Sequence, residues 1–141
     1  MEVFRALLSA TLNNGNIGKL RYPVYCSPKL DGIRAIVRDG KVFSRNNKLI
    51  PNRWVQELFG DEAYNGFDGE LIVGSATDPN VYNKTSSGVM SQDGKPDVTY
   101  YIFDNADPNE SQKSYYERYR DIYNSVAHDE DNFPRVVVLH Q

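Results

Sequence analysis

The sequence predicts an α+β fold with antiparallel strands and helices packed outside them. Three observations carry that expectation. Ile33, Ala35 and Val37 alternate with Arg34, Ile36 and Arg38, the period of a half-buried strand; Asp39-Gly40 then gives a two-residue hairpin signal before Lys41-Val42-Phe43-Ser44-Arg45 returns. Residues 67–73 and 99–104 read as further strands. Residues 51–63 and 111–126 have the spacing of amphipathic helices, with Trp54, Val55, Leu58 and Phe59 inward in the first and Tyr115, Tyr119, Ile122 and Val126 forming one stripe of the second.

The remaining elements follow in order. Val3-Phe4, Leu7-Leu8 and Leu12 predict an opening helix, stopped by Asn13-Asn14-Gly15-Asn16. Residues 22–26 read as a strand that Ser27-Pro28 breaks. Residues 74–98 form a polar segment of 25 residues, too long for a structureless loop in a compact domain, so a short helix or strand is expected within 82–91. Its Thr85, Ser86, Ser87 and Ser91 suit a nucleic-acid surface or ordinary turn chemistry equally well. Residues 135–139 close with an apolar strand.

A chain of 141 residues is long enough for one domain, and its 40% hydrophobic and 25% charged content excludes a disordered chain. Cys26 is the single cysteine, so an internal disulfide and a multi-cysteine zinc site are both excluded. His128 and His140 lack ligand spacing, which argues against a histidine metal site. No apolar run approaches membrane length and no leader pattern opens the chain; a soluble, cytoplasmic protein is expected. Charge is unevenly spread. Residues 1–50 hold nine Lys or Arg against three Asp or Glu, whereas the rest hold seven against sixteen. A basic, phosphate-facing region joined to an acidic body accounts for this, as does drift of solvated surface charge.

Lys29-Leu30-Asp31-Gly32-Ile33-Arg34 concentrates the chemistry, with an amine, a carboxylate and a guanidinium in six residues and a glycine at the bend. Lys29 is the side chain among these able to attack an electrophile and stay attached, and it does so only as the neutral amine. At an unperturbed pKa of ~10.4 only about one lysine in a few thousand is neutral at pH 7. Arg34 is expected to supply the push, since a guanidinium at ~5 Å and an effective dielectric of ~20 disfavours the ammonium by ~3 kcal/mol. The hairpin register pairs 38 with 41, 36 with 43 and 34 with 45, which sets Arg34 opposite Arg45 and calls for an anion between them. Asp68 and Glu70, two apart on one strand, share a face and suit a hydrated Mg²⁺ with a substrate phosphate.

The pattern Lys-x-Asp-Gly-x-Arg resembles the nucleotidyltransferase motif of ATP-dependent DNA ligases, RNA ligases and mRNA capping enzymes, and further elements follow in family order: Ser44-Arg45, Asp68-Gly69-Glu70-Leu71 and Phe103-Asp104. The resemblance, closest to phage-type DNA ligases, implies a partial nucleotidyltransferase domain of the ATP-grasp-like ligase adenylation type, with antiparallel sheets and flanking helices. It implies Lys29 as the nucleophile that carries AMP, with Asp31 orienting the loop or a metal-bound water. Arg34 and Arg45 would hold phosphates, Glu70 the ribose or metal, Asp68 the metal, and Phe103 the base, where stacking contributes ~1 to 3 kcal/mol. ATP and Mg²⁺ are the implied cofactors and nicked double-stranded DNA the implied partner. Ser27 stands where many DNA ligases have an adenine-reading glutamate, so ATP specificity comes from the resemblance alone and GTP use stays open. No lysine follows Lys113, so the family's second lysine motif has no counterpart. Residues 1–141 are therefore expected to be the N-terminal portion of the domain, without an oligonucleotide-binding-fold domain and impaired in ligation, because those lysines stabilise the transition state. The alternatives are a non-catalytic module that binds nucleotide or nicked DNA, and an RNA ligase or capping-type enzyme.

Overall fold

The computed structural model describes residues 4–141. Its core is a five-stranded sheet in the order β2-β1-β3-β4-β5. The strands are β1 (Ile33–Arg38), β2 (Lys41–Ser44), β3 (Phe67–Val73), β4 (Val98–Asn105) and β5 (Val136–Val138), with helices α1 (Arg53–Phe59), α2 (Val81–Met90) and α3 (Tyr115–Val126) between them. All neighbours are antiparallel except β4 and β5, which run parallel because α3 carries the chain back before β5. The α+β expectation holds.

The β1–β2 hairpin forms as the sequence predicts, with Arg38 opposite Lys41 and Ile36 opposite Phe43. Asp39 and Gly40 both have positive φ, 51° and 69°, the conformation a two-residue turn needs to match strand twist. Pairing stops at Ala35–Ser44, however. Arg45 has already left the strand, and Arg34 sits opposite Glu70 of β3 instead. The opposed arginine pair does not form.

Two N-terminal expectations also fail. Residues 4–12 form no helix, and Val3 lies outside the described residues. An isolated helix of that length is marginal in water, and side chains from the sheet and the loop after β2 compete for its backbone: Arg34 Nη1 donates to the Leu7 carbonyl at 2.6 Å and the Asn47 amide donates to the Phe4 carbonyl. The Arg38 guanidinium lies between the Phe4 and Phe43 rings, 4.6 and 4.4 Å from their centroids. Residues 22–26 are not a strand either.

Alternation gives the sheet two different faces. Ala35, Val37, Val42, Leu71, Tyr100 and Ile102 join Val55 and Phe59 of α1, Val89 of α2 and Ile122 and Val126 of α3 in one apolar cluster. Each fully buried side chain of this kind contributes about 1.5–3 kcal/mol. Tyr100 is polar at its tip, but its hydroxyl donates to the carbonyls of Ala35 and Phe67 at 2.7 and 2.9 Å, tying three strands at one point. Asn52 caps α1 by accepting from Val55 N–H, while its amide donates to the carbonyls of Ser91, Asp93 and Gly94. The long polar segment does contain a helix, α2; its Thr85 is buried and accepts from Val73 N–H, a packing role. Trp54 lies half-buried against the core, and the Lys95 ammonium is 4.8 Å from its ring. The opposite face carries Arg34, Asp68, Glu70 and Phe103.

Candidate active site

β3 is central, and its polar face sets out the site. Arg34 grips Asp68 through two parallel hydrogen bonds, Nε to Oδ1 at 2.8 Å and Nη2 to Oδ2 at 2.7 Å. This is a diagonal cross-strand pair, since Arg34 lies directly opposite Glu70. Burial lifts the Asp68 carboxyl above its ordinary value, against the pull of the Arg34 fork, and the same hydrogen bonds raise Arg34. Both Asp68 oxygens are thus engaged. In this structure the Asp68 carboxylate, expected to hold a metal, is the counter-ion of Arg34.

Glu70 is freer. Its Oε2 accepts from Gly32 N–H at 3.2 Å, which joins the lysine segment to β3. Gly32 has to be glycine, because an added Cβ would stand 2.1 Å from the Leu71 carbonyl oxygen. Burial raises the Glu70 pKa, opposed by the Gly32 hydrogen bond and by the charges of Arg34 and Lys29. A raised folded-state pKa means the folded chain holds the proton more tightly; the stabilisation is complete below the ordinary 4.5 and is lost as pH rises through the folded value. Glu70→Gln is expected to flatten unfolding stability against pH just above 4.5. Urea titrations across that range check it, and an unaltered slope would contradict the assignment.

Phe103 reaches the same face by alternation, one residue past buried Ile102. Asp68 pairs with Asp104 and Gly69 with Ile102, so Phe103 is the extra residue of a β-bulge. The Arg34 guanidinium lies 5.3 Å from the Phe103 ring centroid. The bulge also leaves Asp68 and Asp104 directly opposite, a repulsive pair. Each has its own arginine. Arg118 of α3 binds Asp104, Nε to Oδ1 at 2.7 Å, and donates to the Lys113 carbonyl. The sequence reading did not nominate Arg118. The available signal was Asp104 itself, a carboxylate in phase with buried Val98, Tyr100 and Ile102, which needs a cation.

Lys29 stands on irregular chain four residues before β1, with its side chain 90% exposed and its ammonium 3.4 Å from Asp31 Oδ1. The Arg34 guanidinium, for its part, is bonded to Asp68 and to the Leu7 carbonyl. A cleft of about 830 Å³ brings Lys29 together with Arg34, Glu70, Phe103 and the apolar residues Leu7 and Leu12. A second, of about 640 Å³, shares Arg34 and Glu70 and adds Ser44, Arg45 and Lys48. Ser44 shapes that loop: its hydroxyl accepts from Asn46 N–H and Lys48 N–H, which leaves Arg45 exposed on the cleft rim. Arg34 and Arg45 therefore face one cleft without being a strand pair. Asp31, 68% exposed, lines neither cleft.

Among the described residues no group of three or more Asp, Glu, His or Cys could hold a metal. Magnesium commonly uses one or two carboxylates plus substrate phosphates, and Glu70 lines both clefts. Among the described residues no helix is long and apolar enough to cross a membrane.

The fold is that of a ligase-type nucleotidyltransferase domain. The solved structures it resembles include DNA ligases: the chain matches two crystal structures of Chlorella virus DNA ligase-adenylate, one at 30% identity and TM-score 0.72 over 97% of this chain and 49% of that one, the other at 28% and 0.78 over 99% and 50%. A Lig E DNA ligase structure matches at 27% identity and TM-score 0.56, covering 82% of this chain and 43% of its own. The chain spans about half the length of the viral ligase structures. No protein-family profile and no curated protein matches it. The resemblance to the adenylation domain of ATP-dependent DNA ligases holds over nearly the whole chain.

Proposed function

We propose that Lys29 forms a covalent adenylate from ATP and that this adenylate serves the sealing of nicks in double-stranded DNA. One observation supports the reading above the others: a single cleft gathers an exposed lysine, an arginine, a carboxylate and an aromatic ring. The neutral Lys29 amine attacks the α-phosphorus; an N–P bond forms, the bond to the bridging oxygen breaks, pyrophosphate departs and the amine gives up a proton. Phe103 supplies a face for the base. Arg34 and Glu70 lie between the two clefts, and Arg45 stands where a second phosphate can be held. Magnesium, held by Glu70 and the substrate phosphates, would neutralise charge on the departing group. In the later steps the adenylate passes to a 5′-phosphate at the nick and the 3′-hydroxyl displaces AMP.

Incubation with ATP labelled at the α or the γ position tests the first step. Retention of α label with loss of γ label is expected; retention of both would mean tight binding without transfer. For the DNA step, Arg45→Ala is expected to weaken binding to a nicked duplex more at low salt than at high, lowering the salt slope by about one. Equal binding at every salt concentration would remove the phosphate role.

A further inference from the structure

The segment that carries Lys29 has little to hold it. Between residues 21 and 31 the backbone makes no hydrogen bond among the described residues, and β1 begins only at Ile33. A reactive lysine needs its amine placed to a fraction of an ångström. One contact meets this need from outside the segment. The Tyr25 ring stacks on Tyr116 of α3, centroids 5.5 Å apart and planes 16° from parallel, and the Arg120 guanidinium lies 5.6 Å from the Tyr116 centroid.

The neighbouring residue of the same helix turn reaches the other wall of the cleft. Tyr115 Oη donates to the Phe103 carbonyl at 2.9 Å, at the bulge residue itself, and Arg118 one turn on holds Asp104. The turn is itself fixed, since Ser114 and Glu117 form a reciprocal capping box. We propose that the first turn of α3 is a positioning platform for the adenylylation reaction, in which Tyr116 places the Lys29 segment through Tyr25 and Tyr115 places Phe103 through its backbone. The inference rests on the proposed adenylate chemistry for its purpose, but not for its structural content.

The two tyrosines then have separable effects. Loss of the Tyr116 ring frees the nucleophile and slows transfer at saturating ATP; loss of the Tyr115 hydroxyl loosens the base platform and raises the half-saturating ATP concentration. Tyr116 is 45% exposed, so its replacement leaves the core intact. The experiment compares wild type, Tyr116→Leu, Tyr116→Phe and Tyr115→Phe for tryptic cleavage after Lys29 and for the rate of adduct formation against ATP concentration. Tyr116→Leu should raise cleavage and lower the saturating rate, each about three- to tenfold, as expected for losing one stacked aromatic contact. Tyr116→Phe should match wild type in both, and Tyr115→Phe should move only the half-saturating concentration. Wild-type cleavage in Tyr116→Leu would overturn the platform. A wild-type chain without adduct would instead overturn the adenylate reading, and the cleavage comparison would still decide the platform.

Discussion

Lys29→Ala is expected to remove all covalent nucleotide from the chain while leaving its unfolding curve in place. The first half follows from chemistry, because the cleft holding Lys29 contains no other lysine that could attack and stay attached. The second half follows from position: the side chain is 90% exposed and its one polar contact is a 3.4 Å approach to an exposed carboxylate. Exposed pairs of this kind contribute about 0 to 1 kcal/mol. Intact-mass analysis after incubation with ATP, with a urea titration of the same variant, checks both halves. An adduct surviving in Lys29→Ala would mean that another residue is the nucleophile.

The largest expected effect on stability belongs to Arg34. Arg34→Met strands the Asp68 carboxylate, whose side chain is 3% exposed and which receives both forks of the guanidinium. Breaking a buried pair by removing one partner costs about 3–5 kcal/mol. The loss has a pH signature with a definite sign. Burial already raises Asp68, and removing the arginine raises it further, so the folded variant binds a proton that the unfolded chain releases. Its stability should fall as pH rises through that value and recover toward acid, making the deficit larger at pH 8 than at pH 5. Replacing Asp68 by Leu in the same chain removes the stranded charge and is expected to restore most of the loss. Urea titrations of the single and double variants at both pH values decide the matter; a small, pH-independent loss in Arg34→Met would show that the pair contributes little.

These two arginine–carboxylate pairs also show where sequence reading reached its limit. The five strands of the sheet, the Asp39-Gly40 turn and the order of motifs were legible because they rest on local rules, the period of a strand and the φ demand of a turn. Lys29, Arg34, Glu70 and Phe103 could be nominated from the motif run. What lay beyond reach was the cross-strand register. The Arg34–Arg45 pairing assumed that β2 continues one residue further than it does, and the partner of β1 on its other side, β3, is 34 residues away in sequence for the Arg34–Asp68 bond. Likewise the bulge at Phe103 and the reach of Arg118 to Asp104 depend on how β3 and α3 lie against β4. The opening segment failed for a related reason. Its apolar spacing suits a helix, but its Leu7 and Phe4 carbonyls are taken by Arg34 of β1 and Asn47 of the loop after β2, which no window of neighbouring residues contains.

The measurement that bears most directly on the central claim is intact-mass analysis of the wild-type chain after incubation with Mg²⁺ and ATP, with GTP in a parallel tube. The account predicts one adenylate per chain from ATP, with the modified peptide containing Lys29. A folded chain that stays unmodified with both nucleotides would contradict it.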